Sequence, residues 1–138
     1  MNLAYIKADE NDSASMGWAM SKRTADPPAE REIVVENLPF RKNPLYFPSL
    51  GTWYERREME YTFVKSFPNN GKAQRGAAEF QAWLMSLRLV TLEDSIGGCE
   101  YTDAKCVSCQ AELDDNRATV TASFMANPYR LVDGVETV

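Results

Sequence analysis

Residues 118–126 read Ala-Thr-Val-Thr-Ala-Ser-Phe-Met-Ala, and this stretch decides the fold class. Val120, Ala122 and Phe124 alternate with Thr119, Thr121 and Ser123, the period of two that sends successive side chains to opposite faces of a β-strand. One face is apolar and the other carries hydroxyls, as expected of an antiparallel sheet packed on one side and solvated on the other. Asn127-Pro128 ends the strand, because proline offers no amide to a ladder. Upstream, Asp114-Asp115-Asn116 supplies a turn. Tyr101–Gln110 before it reads as another strand, with Ala104, Cys106 and Ser108 on one side.

The same period recurs further out. Trp53–Val64 places Met59, Tyr61 and Phe63 on one face and Glu58, Glu60 and Thr62 on the other. Glu32–Leu38 is rich in β-branched residues, with Ile33 and Val35 opposed to Val34, Glu36 and Leu38. Val90–Leu92 begins a strand that runs into Glu93-Asp94 and a Gly97-Gly98 turn. Residues 1–20 suggest a strand, a turn and a short extended piece at Met16-Gly17-Trp18. A different period appears once: Ala73, Ala77, Phe80, Leu84 and Leu87, with Trp83 beside them, recur at helical steps and predict an amphipathic α-helix over about residues 73–90. The preceding Phe67-Pro68-Asn69-Asn70-Gly71 turn offers Asn70 as its cap. The expected core is therefore Met59, Tyr61, Phe63, Phe80, Trp83, Leu84, Leu87, Val120 and Phe124. Pro27-Pro28 interrupts any ladder. Residues 39–51 mix Pro39, Pro44, Pro48 and Gly51 with Phe40, Tyr46 and Phe47, a long irregular loop of the kind that forms contact surfaces. Strands, one helix, then strands predict a mainly β (α+β) fold, a β-sandwich with one flanking helix, in a single domain over residues 1–138.

Composition narrows the function. The 138 residues contain no histidine, so Ser-His-Asp, Cys-His and His-metal chemistry cannot be assembled within the chain. The formal charge of −5 opposes a grip on nucleic acid, which depends on clustered Lys and Arg. Cys99, Cys106 and Cys109 are an odd set that cannot all pair internally. Cys106-Val-Ser-Cys109 is only half of a four-ligand zinc site. Asn69-Asn70-Gly71-Lys72 lacks the spacing of a phosphate loop. The acid pairs Glu93-Asp94 and Asp114-Asp115 point to opposite faces of extended backbone, so they read as turn and strand-end residues. Glu55-Arg56-Arg57-Glu58 reads as cross-strand or cross-subunit pairing. No catalytic residue, metal or cofactor is expected. Leu3–Ile6 is too short for the apolar core of a signal peptide, and no apolar run is long enough to span a bilayer. The expectation is a soluble, non-enzymatic product that neither enters a membrane nor recognises a DNA sequence.

Several ordered segments together resemble a known family. Ser15-Met16-Gly17-Trp18 is followed by Arg23 through Pro27-Pro28, by the strand Ile33–Val35 and by Tyr54-Glu55-Arg56-Arg57. Trp83-Leu84, Leu92-Glu93-Asp94 and Phe124 leading to Pro128-Tyr129-Arg130 complete the series. In this order they resemble the N-terminal domain of phage distal tail proteins (Dit), although the loop after Leu38 lacks the glycine-rich turn of that family and the C-terminal domain of longer members does not follow. The resemblance implies a tail-tube-like β-sandwich that closes as a homo-oligomeric, hexameric ring in the virion tail and is assembled in the host cytoplasm. Its implied neighbours are the tail-tube protein, the tail-tip hub or baseplate, and receptor-binding proteins. It also implies that DNA passes through a lumen, which the chain's acidity would keep from sticking. The expected subunit-contact residues are Arg23, Pro27, Pro28, Phe40, Tyr46, Phe47, Tyr54, Arg57, Pro128, Tyr129 and Arg130. The alternatives are another tail-tube-like subunit, a tube or terminator protein, and a carbohydrate-binding sandwich using Tyr46, Trp53 and Tyr54.

Overall fold

The computed structural model describes residues 4–28, 30–31, 34–35, 45–46 and 53–138. In chain order the elements are β1 (Ile6–Ala8), β2 (Asn11–Asp12), β3 (Ala19–Ala25), β4 (Glu30–Arg31), β5 (Val34–Val35), β6 (Leu45–Tyr46), β7 (Trp53–Tyr54), β8 (Arg57–Ser66), α1 (Asn70–Ser86), β9 (Val90–Asp94), β10 (Cys99–Asp114), β11 (Arg117–Ala126), β12 (Arg130–Val132) and β13 (Val135–Thr137). β4 pairs with β7, and β5 with β6, as two small ladders. The rest form a nine-stranded antiparallel sheet in the order β2-β1-β9-β10-β11-β8-β3, with β12 on β10 and β13 on β12. The fold is β-rich α+β, with one helix among the described residues. Apart from Val34–Val35 and the backbone of Leu45–Tyr46, the expected strand at 32–38 and loop at 39–51 lie outside the described residues.

The alternating strand sits at the centre. On one face of β11, Val120, Ala122 and Phe124 stand opposite Phe63, Tyr61 and Met59 of β8, all buried. On the other face, Thr121 opposes Thr62 with hydroxyl oxygens 3.4 Å apart. Neighbouring β10 is longer than periodicity predicts. Its stretch Cys99–Ala104 pairs with β9 and Lys105–Asp114 with β11, with irregularities at Tyr101/Ala104 and Cys106/Ser108. Asp103 takes a left-handed φ of 50° there, a conformation aspartate tolerates better than most residues. Bulges of this kind bend and twist the strand that carries them.

The sheet is therefore rolled. β3 and β9 are four places apart in the strand order, about 19 Å in a flat sheet. Yet Arg23 of β3 places Nε 2.7 Å from Oδ2 of Asp94 on β9. Tyr61 of β8 reaches the same oxygen with its hydroxyl at 2.8 Å. The core lies inside this roll, roofed by α1.

Helix α1 departs from its sequence reading at both ends. The cap is Asn69, not Asn70: the Asn69 side-chain oxygen accepts the Lys72 N–H at 2.9 Å. Asn70 instead donates its side-chain amide to the Asp115 carbonyl at 2.6 Å, tying the helix start to the β10–β11 turn. The helix ends at Ser86 because Leu87 turns extended (φ −78°, ψ 103°). The Leu87 carbonyl then accepts the Cys106 N–H at 3.1 Å. Leu87 remains buried, which is why the apolar period outruns the helix. Ala73, Ala77, Phe80 and Leu84 face the sheet, while Trp83 is partly buried against Phe80, ring centroids 5.7 Å apart. Gly76 lets the helix meet Phe67 closely, since a Cβ there would fall 2.3 Å from the ring. Asn69→Ala is expected to lose about 1 kcal/mol of stability, read as a lower urea midpoint with unchanged slope.

Two further differences have physical causes. Met16-Gly17-Trp18 is a turn and not a strand, with Gly17 at φ 87°; Trp18 swings into the core and stacks on Phe80 at 4.4 Å and 10°. The expected strand over 53–64 is broken at Glu55-Arg56 into β7 and β8, and Arg56 donates to the Asp103 carbonyl at 2.8 Å.

Candidate functional site

Arg57 opens β8 and shares the parity of Met59, Tyr61 and Phe63, so its side chain enters the core side and is only 3% exposed. Its Nη1 donates to the Asp26 carbonyl and its Nη2 to the Pro128 carbonyl, each at 3.2 Å. The guanidinium lies 5.6 Å from the centroid of the Tyr101 ring, a cation–π distance. Tyr101 stands directly opposite Arg130 in the β10–β12 ladder, and Arg130 Nη1 lies 4.0 Å from Cys99 Sγ. The Nε atoms of Arg57 and Arg130 are both buried and without a hydrogen-bond partner among the described residues. Burial first, and then the neighbouring Arg130 charge, pull the Arg57 pKa down against a partial offset from Tyr101. Outside this pair, Tyr54 meets Tyr129 edge-on at 6.0 Å and 83°, and Tyr129 is 43% exposed. Asn127 anchors the connection by donating to Thr102 Oγ1 at 3.1 Å and Asp103 Oδ2 at 3.0 Å.

The structure thus brings together Tyr54, Arg57, Pro128, Tyr129 and Arg130. Within that group Arg57 is the buried member, and it tethers the segments at Asp26 and Pro128 through their carbonyls. Pro27 is exposed beside this tether and Pro28 is buried. Arg23 joins the cluster through Tyr101, donating from Nη2 to its hydroxyl at 3.1 Å, and from Nε to Asp94. Phe40 and Phe47 lie outside the described residues, and only the backbone of Tyr46 is described.

Asp94 is the polar residue that the strand-end reading undervalued. Its carboxylate is fully buried. Oδ1 accepts the N–H groups of Ile96 at 2.9 Å and Gly97 at 3.0 Å, while Oδ2 takes Arg23 and Tyr61. Glu93 and Asp94 do point to opposite faces, but one of those faces is the core. Aspartate just ahead of the Gly97-Gly98 turn is an Asx-turn signal, so half of this environment was readable; the Arg23 and Tyr61 half was not.

Burial first, then Asp94, hold the Tyr61 pKa well above that of an ordinary phenol. Burial, then a hydrogen bond with Cys99, push Tyr101 from 10.0 up to about 12. A raised folded-state pKa contributes stability that is full below the unfolded value and lost as pH rises through the folded one. The fold should therefore weaken between pH 10 and about 12. Spectrophotometric alkaline titration should show late phenolate absorbance appearing together with loss of the folded circular dichroism signal. Burial first, then Cys109, push the Cys106 thiol up to about 11, so it is a neutral packing group near pH 7. Among the described residues no group of three or more His, Cys, Asp or Glu is placed to hold a metal ion, and no helix is long and apolar enough to cross a membrane.

The fold is similar to that of the Dit protein (gp 19.1) of phage SPP1, described as a paradigm of the hub adsorption apparatus in phages infecting Gram-positive hosts, with a TM-score of 0.66 over 93% of this chain. The fold is Dit-like. Identity is 12%, and the chain spans 51% of the length of SPP1 Dit. No protein-family model and no curated protein matches the sequence. The Tyr54–Arg130 cluster lies where the chain leaves β11 for the final hairpin.

Proposed function

We propose that this chain is a structural subunit of a phage-type tail tip, one copy of a hexameric ring that joins the tail tube to the hub or baseplate, and not an enzyme. Its partners on this reading are other copies of itself, the tube protein and the hub protein, with receptor-binding proteins beyond them. The observation that carries the reading is the likeness of nearly the whole chain to SPP1 Dit. The ordered segments from Ser15 to Arg130, read independently from the sequence, support it.

The sheet also has a face suited to a lumen. On the uncovered side of β3, β8, β11 and the second half of β10, Thr24, Thr62, Thr119, Thr121 and Ser123 present hydroxyls. Lys22, Lys105 and Arg117 there are interspersed with Glu58, Glu60, Glu112 and Asp114. Mixed charge among hydroxyls offers DNA no continuous cationic track to adhere to. The test is labelling of purified particles with antibody against the chain. A label confined to the capsid-distal end of the tail is expected. Absence of label from tails, or label along their whole length as for a tube protein, would refute the reading.

A further inference from the structure

Among the described residues, neither guanidinium at the Tyr54–Tyr129 cluster has a carboxylate partner. The one ion pair among the described residues is Arg23–Asp94, so no described carboxylate pairs with Arg57 or Arg130. Each retains a buried, unpartnered Nε. A buried cation without a counter-charge is costly, and the partly exposed Arg130 adds a like charge beside Arg57. Arg130 and Tyr129 approach the surface, with Arg57 beneath them.

The missing charge lies on the other face of the same strands. Pairing registers place Lys7, Glu93, Glu100, Leu131 and Glu136 in one row across β1, β9, β10, β12 and β13. Glu93 and Glu100 are direct cross-strand partners, a like-charge opposition that destabilises a sheet. Lys7 flanks Glu93 on the β1 side, but no ion pair closes among these described residues. Glu93, Glu100, Leu131 and Asp133 line an open groove of about 480 Å³. Tyr101 and Arg130 share a register position, and Tyr101 is buried while Glu100 is exposed. The cations are therefore on the inner side of β10 and β12 and the acids on the outer side, and they cannot meet within one chain.

We infer that Arg130 and Tyr129 of one copy dock on the Glu93–Glu100 groove of a second copy, a head-to-tail contact in which the carboxylates neutralise Arg130 and so relieve its repulsion of the buried Arg57. Two different surfaces of the same chain meet in such a contact, and repetition closes a ring or extends a filament. Tyrosine and arginine are the residue types that dominate binding energy at interfaces. This contact rests on the ring reading and specifies how its subunits join.

The test is charge exchange in the full chain, followed by sedimentation equilibrium. Wild type should self-associate more weakly as salt rises. Glu100→Lys and Arg130→Glu should each weaken association by at least about tenfold, and mixing the two variants should restore it. Glu100 is exposed and Lys would relieve the opposition to Glu93, so Glu100→Lys should melt no lower than wild type, which separates a lost contact from a lost fold. Arg130→Gln gives a milder second reading on the cationic side. A wild type that stays monomeric, Glu100→Lys assembling like wild type, or a mixture that fails to recover would each overturn the contact. Location at the tail tip is read separately by the antibody label: tail-tip labelling with no effect of Glu100→Lys sinks this contact and leaves the ring, whereas charge-exchange rescue without tail labelling sinks the ring and leaves the contact.

Discussion

Asp94→Ala is expected to destabilise the protein by about 3–5 kcal/mol, enough to unfold much of the population of a domain whose whole stability is about 5–15 kcal/mol. The size follows from what the carboxylate does. It neutralises Arg23 at 2.7 Å, accepts the Tyr61 hydroxyl at 2.8 Å and satisfies two backbone N–H groups of the following turn. Alanine would leave a partly buried cation and a fully buried hydroxyl unpartnered, and each lost partner carries its own desolvation cost. Arg23 and Tyr61 lie on β3 and β8 while Asp94 lies on β9, so the same loss would release the contact that closes the roll. Urea unfolding of Asp94→Ala, Tyr61→Phe and the double variant gives the check. Strong non-additivity is expected, because both changes remove one shared hydrogen bond; additive losses would mean that Asp94 and Tyr61 act independently.

Phe80→Ala should cost a similar amount, about 3–5 kcal/mol. Phe80 is 2% exposed. Its ring stacks on Trp18 at 4.4 Å, meets Phe63 edge-on at 5.2 Å and lies 5.7 Å from Trp83. Truncation removes a helix side chain that touches both the sheet, at Phe63, and the β2–β3 connection, at Trp18, and packed neighbours on each side limit collapse into the space. The loss should appear as a large drop in urea midpoint and as altered tryptophan fluorescence, since Trp18 and Trp83 both lose their contact. Phe80→Leu should recover much of the loss by refilling the volume. A Phe80→Ala protein within about 1 kcal/mol of wild type would contradict this packing.

The parts of this fold that were legible in the sequence are those governed by local periodicity. Val120, Ala122 and Phe124 alternate because one face of β11 is packed, and Met59, Tyr61 and Phe63 do so on β8 for the same reason. Helix α1 was visible from its apolar stripe. Its ends were not, because the stripe continues through Leu87, which is buried as extended chain. Contacts between residues distant in the chain left no local mark. Arg23 and Asp94 are separated by 71 positions, and nothing near either names the other. Arg57 read as a surface charge among Glu55, Arg56 and Glu58, although carrying the Met59–Tyr61–Phe63 alternation one step back puts it on the core face. Trp18 sat in a stretch that looked extended, and the left-handed Gly17 turns it into the core. Of the proposed contact surface, Tyr54, Pro128, Tyr129 and Arg130 were named from their place in an ordered series of motifs, while their convergence depends on the pairing of β8 with β11 and of β12 with β10.

The most direct measurement is an electron cryomicroscopy reconstruction of the assembled tail tip at side-chain resolution. The account predicts a closed ring of this chain between tube and hub, with Tyr129 and Arg130 of each copy against Glu93 and Glu100 of the next and the threonine-rich face of β8 and β11 toward the lumen. Density for the chain outside such a ring, or a ring in which β8 and β11 face outward, would contradict it.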